Sequence, residues 1–171
     1  MENMKQMTEK SLNEAFAGES MAHMKYLVFS QKAEEEGKPN IARLFKAISY
    51  AEQVHATNHL RNLSGINTTP ENLQSAIDGE TFEVDEMYPA YDAIAKLQNE
   101  KGAQTSIHYA LSAEKIHAAM YTKAKEAADT DKDIELGQVY ICQVCGYTGE
   151  GEPPDQCPIC KARKDRFNLY N

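Results

Sequence analysis

The chain has 171 residues, enough for one sizeable domain or for a medium domain and a small one. Hydrophobic residues make up 42%, which supports a packed core, and no apolar run is long enough to span a bilayer. The net charge is −8, all of it in residues 1–136 (14 Lys/Arg against 22 Asp/Glu), while residues 137–171 hold four of each sign; so acidic a chain argues against nucleic acid as a partner.

The opening Met1-Glu-Asn-Met-Lys lacks the basic region and apolar stretch of a signal peptide, which predicts a cytoplasmic protein. A first helix is expected from about Thr8 to Glu36, with Leu12, Phe16, Glu19, Tyr26 and Ala33 at helical spacing. Glu19 sits inside that stripe, where a lone carboxylate is costly to bury. Gly37-Lys-Pro39 ends this helix and starts a second, whose Ile41, Leu44, Phe45, Ile48, Glu52, His55 and His59 share one side. Leu63-Ser-Gly65 closes it. Residues 66–79 are expected to be a long connection with a short helix from Pro70. A third helix then carries Glu80, Glu83, Met87, Tyr91 and Ile94, kinked or interrupted by Pro89. After a break at Gly102, a fourth places Ile107, Leu111, Glu114, His117 and Tyr121 on one face. An up-down pair, a long crossover and a second pair is a ferritin-like topology. Residues 128–137 form a polar linker, and two short strands, Val139–Cys142 and Phe167–Tyr170, follow among Gly and Pro turns.

The helical part repeats itself. Ala51-Glu52-Gln-Val-His55-Ala56 has the same form as Ala113-Glu114-Lys-Ile-His117-Ala118, and Glu and His three apart share a helix face. Gly18-Glu19-Ser20 precedes the first motif by the interval at which Gly79-Glu80-Thr81 precedes the second: 33 residues from Glu19 to Glu52, 34 from Glu80 to Glu114. A lone Glu on one helix and Glu-x-x-His on the next, given twice, is the ligand arrangement general to ferritin-like di-metal carboxylate proteins. Five carboxylates on core stripes, with Glu83 counted, would repel unless cations neutralised them, and this oxygen-rich set with two imidazoles suits iron or manganese. Glu83 breaks the repeat, since its counterpart is Ala22. Tyr26 and Tyr88, about two turns beyond Glu19 and Glu80, can hydrogen-bond to ligand carboxylates or simply pack. His23 and His108 have no acidic partner at metal spacing and read as boundary residues; His59 reads as packing.

All four cysteines fall in two Cys-x-x-Cys knuckles, Cys142/Cys145 and Cys157/Cys160, separated by eleven residues. This is a tetrahedral four-thiolate site for zinc or a single iron. Cys145-Gly-Tyr147 and Cys157-Pro158 resemble the knuckles of rubredoxin; a zinc ribbon has the same spacing.

Taken together, residues 5–171 resemble the rubrerythrins. The resemblance implies a mainly helical, ferritin-like four-helix di-iron bundle with linker over 1–136 and a rubredoxin-like β/metal-knuckle domain over 137–171. It implies Glu19, Glu52, His55, Glu80, Glu83, Glu114 and His117 as di-iron ligands, and Cys142, Cys145, Cys157 and Cys160 as ligands of one iron. Glu83, Tyr26 and Tyr88 would be the catalytic residues, with Glu83 competing with His55 for one iron. The activity implied is reduction of hydrogen peroxide to water, with electrons arriving through the four-cysteine iron from a rubredoxin or an NAD(P)H-linked rubredoxin reductase. A homodimer is implied, and some members exchange helix pairs, which a long 66–79 connection would permit. The alternative readings are a ferroxidase or iron-storage protein and a non-catalytic module with structural zinc. The chain departs from the family at Lys161, where glycine is usual; a positive φ there would cost about 1 kcal/mol.

Overall fold

The computed structural model describes residues 4–171, which divide between Asn67 and Thr68 into two compact units. The first unit is a helical hairpin of α1 (Gln6–Glu35) and α2 (Pro39–Asn62). Helix α1 stops where Gly37 takes φ +70°, letting Lys38 N–H donate to Ala33 O at 2.8 Å. Pro39 then occupies the first turn of α2, where a missing N–H costs nothing. Small residues line the helix contact: Ser30, Ala33, Ala42, Ser49 and Ala56 are buried. Ser30 Oγ donates to Ala42 O at 2.8 Å, and Ser49 Oγ donates to His23 O at 3.0 Å. His23 Nδ1 lies 2.9 Å from Ser49 O, which can only accept, so His23 serves as an interhelix clamp. Tyr26, Phe29 and Phe45 form an aromatic group with centroids 5.6–6.3 Å apart. The larger aliphatic residues expected on the buried stripe stay outside, Leu44 at 59% exposure with Ile41 and Ile48.

The second unit opens with α3 (Thr69–Phe82), continues through a π-helical turn (Glu83–Met87) into α4 (Tyr88–Leu97), and returns along α5 (Lys101–Ala128). The long 66–79 connection is therefore mostly helix. Thr68 and Glu71 form a capping box and Pro70 sits in the first turn, so α3 starts well before Glu80. Gly79 lies inside the helix, a cost of about 1 kcal/mol that a capped start tolerates. Pro89 falls in the first turn of α4 just after the π turn, whose Tyr88 N–H reaches Glu83 O. The break before α5 comes at Asn99 (φ +58°), with Glu100 N–H closing on Ala95 O at 2.9 Å; Gly102 is already inside α5.

After α5 and an extended linker comes a three-stranded antiparallel sheet in the order β2-β1-β3: β1 (Val139–Cys142), β2 (Thr148–Glu150) and β3 (Phe167–Tyr170). Strands β1 and β3 match expectation, and β2 is an addition. Tyr140 meets Phe167 edge-on at 5.4 Å, and both pack with Cys142, Cys145 and Cys157. Gly149 pairs with Tyr140 across the sheet, and a Cβ there would collide with the phenol ring. Four helical rods followed by a small strand-and-knuckle domain is the expected class. Among the described residues no helix is long and apolar enough to cross a membrane.

Candidate metal centres

The knuckles bring Cys142, Cys145, Cys157 and Cys160 together as free thiols with every sulfur within 4.8 Å of the others. Cys142 Sγ lies 3.6 Å from Cys160 Sγ, and Cys145 Sγ lies 3.4 Å from Cys157 Sγ. Sulfurs at tetrahedral corners about 2.3 Å from a metal stand about 3.8 Å apart, so the cage fits an ion of that radius. Gly146 (φ +77°) and Lys161 (φ +63°) follow the second cysteine of each knuckle, so Lys161 does take the strained conformation. Burial pushes the Cys145 and Cys160 thiols up. Burial also opposes ionisation of Cys157, but N–H donors from Cys160 and Ile159 outweigh it and hold that thiol down. Without a cation the four cannot all be thiolates; with one they can.

The helical ligands form two trios of nearly equal geometry. In the first hairpin, His55 Nδ1 lies 2.9 Å from Glu52 Oε2 and 3.9 Å from Glu19 Oε1. In the second unit, His117 Nδ1 lies 2.6 Å from Glu114 Oε2 and 3.8 Å from Glu80 Oε1. In each trio all three ligand atoms fall within 4.8 Å. Two carboxylates and an imidazole nitrogen around one point suit a hard or borderline cation such as ferrous iron.

The one-residue difference between the repeats has a place in the structure. Both interhelical turns have three residues, and Glu52 and Glu114 each lie thirteen residues after the start of their helix. The extra residue therefore lies between Glu80 and Leu97, the stretch that contains the π turn opened by Glu83. Glu83 is outside the tight trio but feels it: burial and the Glu114 charge push its carboxyl up, with His117 opposing. Glu80 is pushed up to about 7 by burial, a hydrogen bond to Glu114 and the charges of Glu114 and Glu83. Tyr88 is raised by burial and then by Glu83, Glu114 and Glu80, which keeps its phenol protonated. Tyr26 sits half-buried in the aromatic group of the first hairpin.

One contact was not visible in the sequence. His117 Nε2 lies 2.8 Å from Thr148 Oγ1, on strand β2 of the knuckle domain. Tyr109 of α5 packs on the cysteine cluster, and Ala113 Cβ faces Gly146. The four-cysteine cage is thus seated on the helix that carries Glu114 and His117.

Two family models match the chain: rubrerythrin over residues 10–125, and the rubrerythrin rubredoxin-like domain over residues 140–168. The chain is 46% identical to rubrerythrin-2 of Clostridium acetobutylicum, covering 96% of this chain and 97% of the relative. It is 35% identical to nigerythrin of Nitratidesulfovibrio vulgaris, over 95% of this chain and 86% of that protein. Among solved structures, the fully reduced, all-ferrous state of nigerythrin matches with a TM-score of 0.56 at 31% identity, covering 99% of this chain and 89% of the other.

Proposed function

Because this chain belongs to the rubrerythrin family, with a di-iron site and a four-cysteine rubredoxin-like site, we propose that it is a peroxide reductase. The reaction takes one hydrogen peroxide, two electrons and two protons to two waters. When bound, the paired irons supply the two electrons, and the single tetrathiolate iron replaces them one at a time. We assign Glu19, Glu52, His55, Glu80, Glu83, Glu114 and His117 to the di-iron site, and Cys142, Cys145, Cys157 and Cys160 to the single iron. Residues 1–136 form the di-iron part and residues 137–171 the electron-entry part.

The protein's own groups handle protons and orientation. The Tyr88 phenol, kept protonated by burial and by the charges of Glu83, Glu114 and Glu80, is placed to supply a hydrogen-bond donor beside those carboxylates. The Glu83 carboxyl, raised above its ordinary range, holds a proton beside Glu114 more readily than an exposed glutamate does. We assign Tyr26, which sits in the aromatic group of the first hairpin, the same role by its place about two turns beyond Glu19 in the repeat. A rubredoxin, or an NAD(P)H-linked rubredoxin reductase, delivers electrons. The protein acts as a cytoplasmic homodimer in oxidative-stress defence.

The observation that carries this reading is the seating of the four-cysteine cage on α5, the helix of Glu114 and His117. An iron-storage protein has no use for a one-electron carrier held there. The test is iron content together with anaerobic peroxide consumption. Three irons per chain and rubredoxin-dependent peroxide turnover are expected. Zinc in the cage with no turnover, or a large mineralising shell, contradicts the proposal.

A further inference from the structure

The Thr148 hydroxyl has one proton and two polar neighbours. Its oxygen lies 3.0 Å from Gly146 O and 2.8 Å from His117 Nε2. A backbone carbonyl can only accept, so the hydroxyl proton is committed to Gly146. Toward His117 the same oxygen is then an acceptor, and Nε2 must carry the proton. Nδ1 then lies 2.6 Å from Glu114 Oε2 and 3.8 Å from Glu80 Oε1, and the proton in the short contact belongs to the Nδ1–Glu114 pair. Any proton shared between Nδ1 and Glu114 is the one that a cation displaces. Thr148 is 5% exposed, so water does not compete for either bond.

We propose that Thr148 is a positioning residue for His117: it fixes the imidazole in the tautomer that turns Nδ1 toward a metal. It also ties that imidazole, through the Gly146 carbonyl, to the residue bonded to Cys145. The inference rests on the reading of Glu80, Glu114 and His117 as half of the di-iron site. The first hairpin offers the contrast. Among the described residues His55 Nε2 has no hydrogen-bond partner, and the His55 side chain is 55% exposed. The His117 imidazole is held at both nitrogens, the His55 imidazole only at Nδ1, by Glu52.

The tautomer matters because the alternative is wrong for binding. An imidazole without the Thr148 acceptor would put its proton on Nδ1 and donate it to the Glu114 carboxylate. Metal uptake would then have to shift that proton first. Hydrogen-bond partners of metal-ligating histidines are typically worth about 10- to 100-fold in metal affinity.

The test compares the full chain with Thr148→Val, which keeps the shape and loses the hydroxyl, and Thr148→Ser, which keeps the hydroxyl. Nitrogen-15 NMR of the His117 ring in metal-free protein, recorded at a pH above which the ring signals no longer move, reads the tautomer directly. The Nε2–H form is expected in wild type and Thr148→Ser, and the Nδ1–H form in Thr148→Val. Chelator competition for ferrous iron at the carboxylate–histidine site should weaken about tenfold or more in Thr148→Val and recover in Thr148→Ser. The tetrathiolate absorption should be the same in all three. An Nε2–H ring in Thr148→Val, or unchanged iron affinity, overturns the inference. If wild-type protein takes up no iron at these ligands, the di-iron reading fails, and the ring tautomer still decides the role of Thr148.

Discussion

The two hairpins present the same three ligands at nearly the same distances, yet their surroundings differ. In the first, Glu19, Glu52 and His55 stand on two uninterrupted helices, and the imidazole is exposed. In the second, the helix of Glu80 is opened by a π turn, a further carboxylate and a raised tyrosine lie alongside, and the imidazole is anchored to the knuckle domain. A duplicated ligand frame is enough to bind two metals. Under the proposed function, these differences assign proton holding and electron entry to the second unit.

The comparison breaks most completely when the electron carrier is removed. Cys157 is fully buried and is one of the four sulfurs of the cage, and Cys157→Ser should abolish the red thiolate-to-iron absorption. The helical ligands, none of them a cysteine, should keep their iron and react once with peroxide when chemically reduced. Steady-state turnover from rubredoxin should collapse; undiminished turnover would mean that electrons bypass the cage.

Glu83→Ala makes the second hairpin resemble the first, whose matching residue is Ala22. Both irons should remain, and peroxide turnover should slow by roughly 10- to 100-fold. Tyr88 should then titrate lower, because one of the charges that raises it is gone. Normal turnover with an unmoved Tyr88 titration would remove Glu83 from the site.

Acidity sharpens the contrast without mutation. In metal-free protein the Glu80 carboxyl is raised from 4.5 to about 7, so the folded chain holds this proton more tightly than the unfolded chain does. That contribution is fully present below about pH 4.5 and is lost as pH rises through about 7. Glu83 shifts the same way. Metal-free protein should therefore melt several degrees lower near pH 8 than near pH 5.5, and iron should reverse the order by replacing the proton. A melting temperature independent of pH, with or without metal, would show that these carboxyls do not converge.

The smallest effect concerns the cage alone. Lys161 holds φ +63° where only glycine is unstrained, so Lys161→Gly should stabilise the knuckle domain by about 1 kcal/mol, less the entropy glycine loses on folding. Denaturant unfolding followed at the tetrathiolate band measures it; a loss of stability would mean that the Lys161 Nζ bond to Pro158 O, 3.0 Å, outweighs the strain.

What the sequence made legible follows from what has a period or a fixed spacing. The Ala-Glu-x-Val/Ile-His-Ala frames, the Cys-x-x-Cys knuckles and the stop at Gly37-Lys-Pro39 were readable because helix geometry and metal coordination each demand residues at set intervals. The π turn was hidden behind Pro89, which reads as a kink; the clue was the 34-residue spacing against 33. Strand β2, Thr-Gly-Glu, is too short to show alternation and exists because Tyr140 needs Gly149 beneath its ring. A helix from Pro70 is expected from the sequence, but not its unbroken run into the helix of Glu80, and the capping box at Thr68 and Glu71 marks that common start. Thr148 could not be assigned a role from sequence, since its partner lies 31 residues away on another element.

The most direct test of the account follows the red absorption after peroxide is added anaerobically to fully reduced protein, in wild type and in His117→Ala. If the helical site reacts first and the cage then supplies electrons to it, the absorption should return quickly in wild type and much more slowly in His117→Ala. Equal rates in the two proteins would mean that peroxide oxidises the tetrathiolate iron directly, and the proposed division of labour between the two centres would be wrong.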